Sequence, residues 1–146
     1  MFGLNIKHVV SFLSLSLFIF LAIGSGNDNE GVEEDISDKT AEIKVSASEM
    51  YRDYENNEVG AEDKYKDKVI EVSGKVVDIK TTSFDDNELS VHLQGGKYDF
   101  NYVRCNFSKN HKEAAKKLQK GDKVTIKGKG AKKVMSPTLD GCSIVK

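Results

Sequence analysis

Val69-Ile-Glu-Val-Ser-Gly-Lys-Val-Val-Asp-Ile79 is the stretch on which the fold turns. It is dense in β-branched residues, which fit a pleated, half-buried surface, and Gly74 interrupts it at its middle. Glycine inside a strand pattern marks a bulge or a bend. The expectation is a long strand that bends at Gly74 and so serves both halves of a small barrel.

Downstream, Thr81 to Asn87 supplies a polar loop, and Glu88 to Leu93 alternates, with Leu89, Val91 and Leu93 on one face. Gly95-Gly96 then turns the chain into a third strand, about Tyr98 to Phe107, completing a meander. His111 to Leu118 places Ala114, Ala115 and Leu118 among lysines, the pattern of a short helix with one buried edge. Gly121 to Gly128 reads as a turn and an alternating strand, with Val124 and Ile126 inward and Lys123, Thr125 and Lys127 outward. A loop from Gly130 to Pro137 leads to a last strand ending Cys142-Ser-Ile-Val145. Upstream, Ser46-Ala-Ser-Glu49 is a capping-box pattern, and Met50, Tyr51, Tyr54 and Val45 follow helical spacing. A helix from Ala47 to Asn57 therefore lays one apolar stripe on the domain.

The net charge of −1 conceals an asymmetry. Residues 28–63 hold 3 Lys and Arg against 13 Asp and Glu, net −10, whereas residues 64–146 hold 18 against 10, net +8. An acidic arm thus precedes a basic domain. Residues 25–44, rich in Gly, Asn, Asp, Glu and Ser, read as a flexible acidic linker between an export signal at 1–24 and a domain at 45–146. The signal reading rests on Lys7, the apolar run from Val9 to Ile23 and the small residues that place cleavage near Ser25. A fifteen-residue helix spans roughly 22 Å, short of the roughly 30 Å hydrocarbon core. The alternative is an uncleaved segment, tilted or extended by its flanks, that anchors the chain to a membrane. Ser25 stands where lipidation would need cysteine. Export would place Cys105 and Cys142 in an oxidising compartment, where one disulfide is one outcome and two buried thiols acting as small apolar residues the other.

The order of helix, three strands, helix and two strands is that of the OB-fold, a partly open Greek-key barrel. The fold class is mainly β: a five-stranded OB-fold barrel with an N-terminal helix and a short helix between strands three and four. Ser46-Ala-Ser-Glu-Met-Tyr51, Lys68-Val-Ile-Glu-Val-Ser-Gly-Lys-Val76, Val103-Arg-Cys105, Leu118 to Gly128 and Leu139 to Val145 resemble the tRNA-anticodon-like OB-fold domains of exported bacterial proteins. The likeness runs from about Val45 to Val145, and its motifs are structural rather than catalytic. The family name records similarity to an anticodon-binding barrel, and an exported domain rarely meets tRNA, so the name is not taken as a substrate. Members commonly carry cysteines at positions matching Cys105 and Cys142, which implies a disulfide between them. Asp67 stands where members often have glycine before the first strand.

Chemistry-bearing constellations are sparse. His8, His92 and His111 lack metal-ligand spacing, and His92, opposite the Leu89, Val91 and Leu93 face, reads as an exposed strand residue. Asp85-Asp-Asn-Glu88 lacks the alternation and the glycine of a calcium loop and reads as a solvated hairpin. The serines have no histidine partner at recognisable spacing, and there is no phosphate-cradling glycine loop. No enzyme, cofactor or metal is expected.

The third strand is more informative. Alternation sets Val103, Cys105 and Phe107 on one face and Tyr98, Phe100, Tyr102 and Arg104 on the other. A bulge near Asn101 would instead turn Phe100 into the core. In OB-folds, the outer face of strands two and three, with the flanking loops, binds oligonucleotides and oligosaccharides. The leading expectation is a non-enzymatic binding module outside the cytoplasm. It recognises an oligomeric ligand, oligonucleotide or oligosaccharide, across Phe84, Tyr98, Tyr102, Arg104, Lys129, Lys132 and Lys133. The alternative is an envelope interaction or inhibitor domain that binds another protein.

Overall fold

Residues 34–81 and 88–146 are described in a computed structural model. The stretch that opens the sequence reading becomes β2 (Val69–Thr81), and every other part of the sheet is arranged around it. Its first half, Val69 to Lys75, pairs antiparallel with β5 (Lys123–Gly130), and its second half, Val76 to Thr81, with β3 (Leu89–Gln94). β4 (Tyr102–Phe107) lies antiparallel to β3, and β6 (Thr138–Ile144) closes the ring, parallel to β4 and antiparallel to β5. The result is a closed five-strand barrel of the OB-fold, with the short helix α3 (Lys112–Ala115) between β4 and β5.

The irregularity in β2 lies between Val76 and Asp78, not at Gly74. Gly74 serves a close approach instead: a Cβ there would sit 3.0 Å from the Ala47 Cβ and 3.3 Å from the Leu93 Cβ. The extra residue is accommodated where β2 exchanges β5 for β3, so the bulge marks the change of partner.

A sixth strand precedes the barrel. β1 (Ile43–Ser46) runs parallel to β2, with Val45 opposite Val72. It is followed by α1 (Ala47–Asn56), whose first turn is capped as its sequence predicts: the Ser46 hydroxyl accepts from the Glu49 amide at 3.1 Å. Ala47, Met50 and Tyr54 are buried against the barrel. A second helix, α2 (Glu58–Tyr65), which the sequence reading does not include, follows α1. Asn57 caps it by accepting from the Gly60 amide at 3.1 Å. The two helices are tied by stacking of Tyr54 on Tyr65, centroids 5.8 Å apart, and by Asp53, which accepts from Lys64 at 2.8 Å and from the Tyr65 hydroxyl at 2.5 Å.

Residues 34–44, the described part of the stretch read as linker, run along the domain. Ile36 is 2% exposed, and the Lys127 ammonium donates to the carbonyls of Ser37 and Lys39 at 3.0 and 2.7 Å. Asp35 lies 3.1 Å from His111. Residues 1–24, read from the sequence as an export signal, lie outside the described residues. Among the described residues, no helix is long and apolar enough to cross a membrane.

Cys105 and Cys142 are both buried, and no disulfide joins them. Across the parallel β4–β6 pair, Cys105 stands opposite Leu139 and Cys142 opposite Phe107, so the two thiols are staggered rather than paired. The Cys142 thiol donates to the Leu139 carbonyl at 3.4 Å. The disulfide implied by the family resemblance is thereby replaced by two apolar thiols in the core.

Candidate ligand-binding site

The alternation of β4 holds from Tyr102 onward. Val103, Cys105 and Phe107 point into the core, while Tyr102, Arg104 and Asn106 are half-buried on the outer face. Register carries that outer face across three strands, because Arg104 stands opposite His92, and His92 opposite Asp78. One residue pair along, Asn106 stands opposite Ser90 and Ser90 opposite Lys80.

His92 departs from its expected exposure. It faces outward yet is only 6% exposed, because the Tyr102 ring lies flat on it, centroids 4.0 Å apart and planes 4° from parallel. The two residues are diagonal neighbours on antiparallel strands, within reach of aromatic side chains. Burial, reinforced by the nearby Arg104 charge, pushes the His92 pKa down from 6.5 to about 4, so the imidazole is neutral at pH 7. Its Nε2 is 3.3 Å from the buried Ser90 hydroxyl. Arg104 reaches over the same ring and donates to the Tyr102 hydroxyl at 3.2 Å. Asn106 donates to Asp140 of β6 at 2.8 Å. Two polar atoms of this face, Arg104 Nε and Asn106 Oδ1, are shielded from water without a hydrogen-bond partner.

Of the residues expected on this platform, the structure thus brings Tyr102 and Arg104 together and adds His92, Ser90 and Asn106. Period-2 alternation places His92 outward, and Asn106 lies two residues beyond Arg104, but their meeting with Tyr102 depends on register between strands.

Tyr98 is placed elsewhere. β4 begins only at Tyr102, because residues 95–101 form a turn organised by Asn101. The Asn101 carbonyl accepts from the Gly95 and Gly96 amides, and its side chain accepts from the Tyr98 amide at 3.3 Å and donates to the Tyr51 hydroxyl at 2.8 Å. Tyr98 and Phe100 therefore form a stacked pair at the hairpin tip, centroids 5.1 Å apart, with Lys97 over Tyr98. Phe100 is 73% exposed, so the turn at Asn101 leads it to solvent rather than into the core.

The lysines divide. Lys129 and Lys132 are exposed at the end of β5 and in the loop after it. Lys133 is not available, since its ammonium donates to Glu58 of α2 at 2.9 Å with the side chain 17% exposed, and its amide donates to Glu62. That loop joins the platform at Pro137, whose carbonyl accepts from the Arg104 amide at 2.8 Å. Phe84 and the acidic run 85–87 lie outside the described residues. No group of three or more His, Cys, Asp or Glu among the described residues is placed to hold a metal ion.

The family model tRNA_anti-like matches residues 4–144. No curated protein matches the chain significantly. Among solved structures, the chain is similar to a lipoprotein from Klebsiella pneumoniae that carries the provisional name nucleic acid-binding. The two are 22% identical with a TM-score of 0.60, over 71% of this chain and 92% of that one. At that identity the likeness bears on the fold.

Proposed function

The chain belongs to the tRNA_anti-like family, and from that premise we propose that it is a non-enzymatic binding module acting outside the cytoplasm on an oligomeric ligand, an oligonucleotide or an oligosaccharide. One observation carries the reading: the Tyr102 ring, laid flat on His92 and flanked by Arg104, on the outer face of β3 and β4. His92 stacks on one side of the Tyr102 ring, which remains partly exposed. A partly exposed ring held by an aromatic neighbour is a surface on which a base or a sugar stacks, and the His92 stack orders the ring before the ligand arrives. The partly exposed Arg104 guanidinium adds positive charge beside it. Lys129 and Lys132 supply positive charge at the loop edge, where OB-folds hold ligand backbones. The lipoprotein name of the similar structure supports a place outside the cytoplasm, as does the apolar run from Val9 to Ile23.

The test is binding of the full chain to single-stranded DNA of about 10 nucleotides, within the usual span of one OB-fold, and to an acidic oligosaccharide, each across a salt series. For a nucleic-acid ligand, log affinity falls linearly with log salt, with a slope of about −0.7 per neutralised phosphate. Tyr102→Ala removes about 1 to 3 kcal/mol, the worth of one stacked base. Binding that is insensitive to both salt and Tyr102→Ala rejects the platform.

A second reading has its own observation. Val59 on α2 and Val134 and Met135 on the loop between β5 and β6 are exposed large apolar side chains, and Tyr98 and Phe100 are exposed at the hairpin tip. Such surface suits contact with another protein of the envelope. That reading gains if oligomers of either class fail to bind.

A further inference from the structure

The first half of β2 carries a second feature, away from the Tyr102 platform and independent of it. In the antiparallel β2–β5 ladder, Lys75 stands directly opposite Lys123, and Ser73 opposite Thr125. Residues two apart share a face, so the two lysines and the two hydroxyls lie together. That face is the outer one. Gly74, between Ser73 and Lys75, turns toward Ala47 and Leu93 of the core, and Val124, between Lys123 and Thr125, packs on the core from β5. These six residues line a depression of about 400 Å³.

The depression holds donors and cationic charge without a carboxylate. Neither Lys75 nor Lys123 has an Asp or Glu oxygen within 4 Å among the described residues, whereas nine other charge pairs are formed there. The adjacent Asp122 is engaged by the Gln119 amide at 2.9 Å, and Asp78 faces Lys80 and Lys120. Like charges directly opposite on a sheet oppose folding unless something neutralises them. The Ser73 and Thr125 hydroxyls are 2.7 Å apart, so one hydrogen lies between them and the other remains to donate outward.

We propose that this depression is a binding site for a tetrahedral oxyanion, a phosphoryl or sulfuryl group, held between the Lys75 and Lys123 ammoniums and the spare hydroxyl of the Ser73–Thr125 pair. Two ammoniums facing one another across a strand pair neutralise such an anion as point charges, and the hydroxyl fixes its orientation.

The test is NMR of the isotopically labelled full chain, titrated with inorganic phosphate, sulfate or chloride at constant ionic strength. Phosphate and sulfate should shift the Gly74, Val124 and Thr125 amide resonances with saturation, and chloride should not. Lys75→Gln and Lys123→Gln should each weaken the response about tenfold, the cost of one charge-assisted contact, while Tyr102→Ala leaves it unchanged. Lys75 and Lys123 are both exposed, so the variants retain the dispersed spectrum of the parent. Equal responses to chloride and phosphate, shifts centred on β3 and β4, or lysine variants that titrate like the parent would overturn the assignment. Loss of oligomer binding in Tyr102→Ala with phosphate shifts intact would separate this site from the platform.

Discussion

His92 is where a single residue's chemistry is decided by its neighbour. Burial holds its folded pKa at about 4, below the ordinary 6.5, so the unfolded chain binds the proton more readily. Stability contributed by neutral His92 is therefore present above pH 6.5 and lost as the pH falls toward 4, by at most about 3 kcal/mol. Urea denaturation across that range should show the slope, and His92→Gln should flatten it. Tyr102→Ala uncovers the ring, and the His92 pKa followed by NMR should rise toward 6.5. Asp67 offers a test of backbone strain: its φ is 63°, in the left-handed region that favours glycine, and its amide donates to the Gly130 carbonyl at 2.8 Å. Asp67→Gly should raise stability by about 0.5 to 1 kcal/mol in urea denaturation. The resemblance had already marked that position for glycine, and the structure supplies the reason. At His92, alternation disclosed the direction of the side chain but not its burial, because the covering ring arrives from another strand through register.

The elements differ in how openly the chain declares them. α1 announces itself, since Ser46, Glu49, Met50 and Tyr54 place a cap and an apolar stripe at local spacing. Ser46→Ala should lower stability by about 1 kcal/mol, read as a shift of the urea midpoint at constant slope. α2 is concealed. Only Ala61 and Tyr65 of its eight residues are buried, and Glu58, Glu62, Asp63 and Lys64 dominate its composition. It is stabilised by what it meets: the Tyr54 ring, the Asp53 carboxylate and Lys133 of the distant β5–β6 loop. The Asp53 carboxyl is held below its usual range by hydrogen bonds from Lys64 and Tyr65. Asp53→Ala removes the acceptor of the Tyr65 hydroxyl and should cost about 1 to 3 kcal/mol, with Tyr54→Phe as the control that preserves the stack. β4 starts later than its alternation suggests for a related reason: Tyr98, Phe100 and Tyr102 alternate like a strand, but Asn101 satisfies the turn with its own side chain.

For the whole molecule, the barrel depends on residues upstream of its first helix. Ile36 is buried, Lys127 holds the Ser37 and Lys39 carbonyls, and β1 adds backbone pairing to β2. A chain beginning at Val45 should be less stable than one beginning at Glu34 by about 3 kcal/mol or more, measured by urea denaturation, since it loses a buried isoleucine, half of β1 and both anchoring hydrogen bonds. Equal stabilities would show that residues 34–44 contribute no more than a covering.

The chain by itself determined the succession of the five barrel strands, the barrel class, the capped first helix and which sides of β3, β4 and β5 face inward. These follow from period-2 and period-3.6 patterns and from turn residues, all of them local. Only the tertiary structure decided that Tyr102 covers His92, that Lys133 is taken by Glu58, that Cys105 and Cys142 are staggered, and that Lys75 confronts Lys123. Each of those is a matter of register between segments far apart in the chain, and a shift of one residue would send every side chain of a strand to the other face.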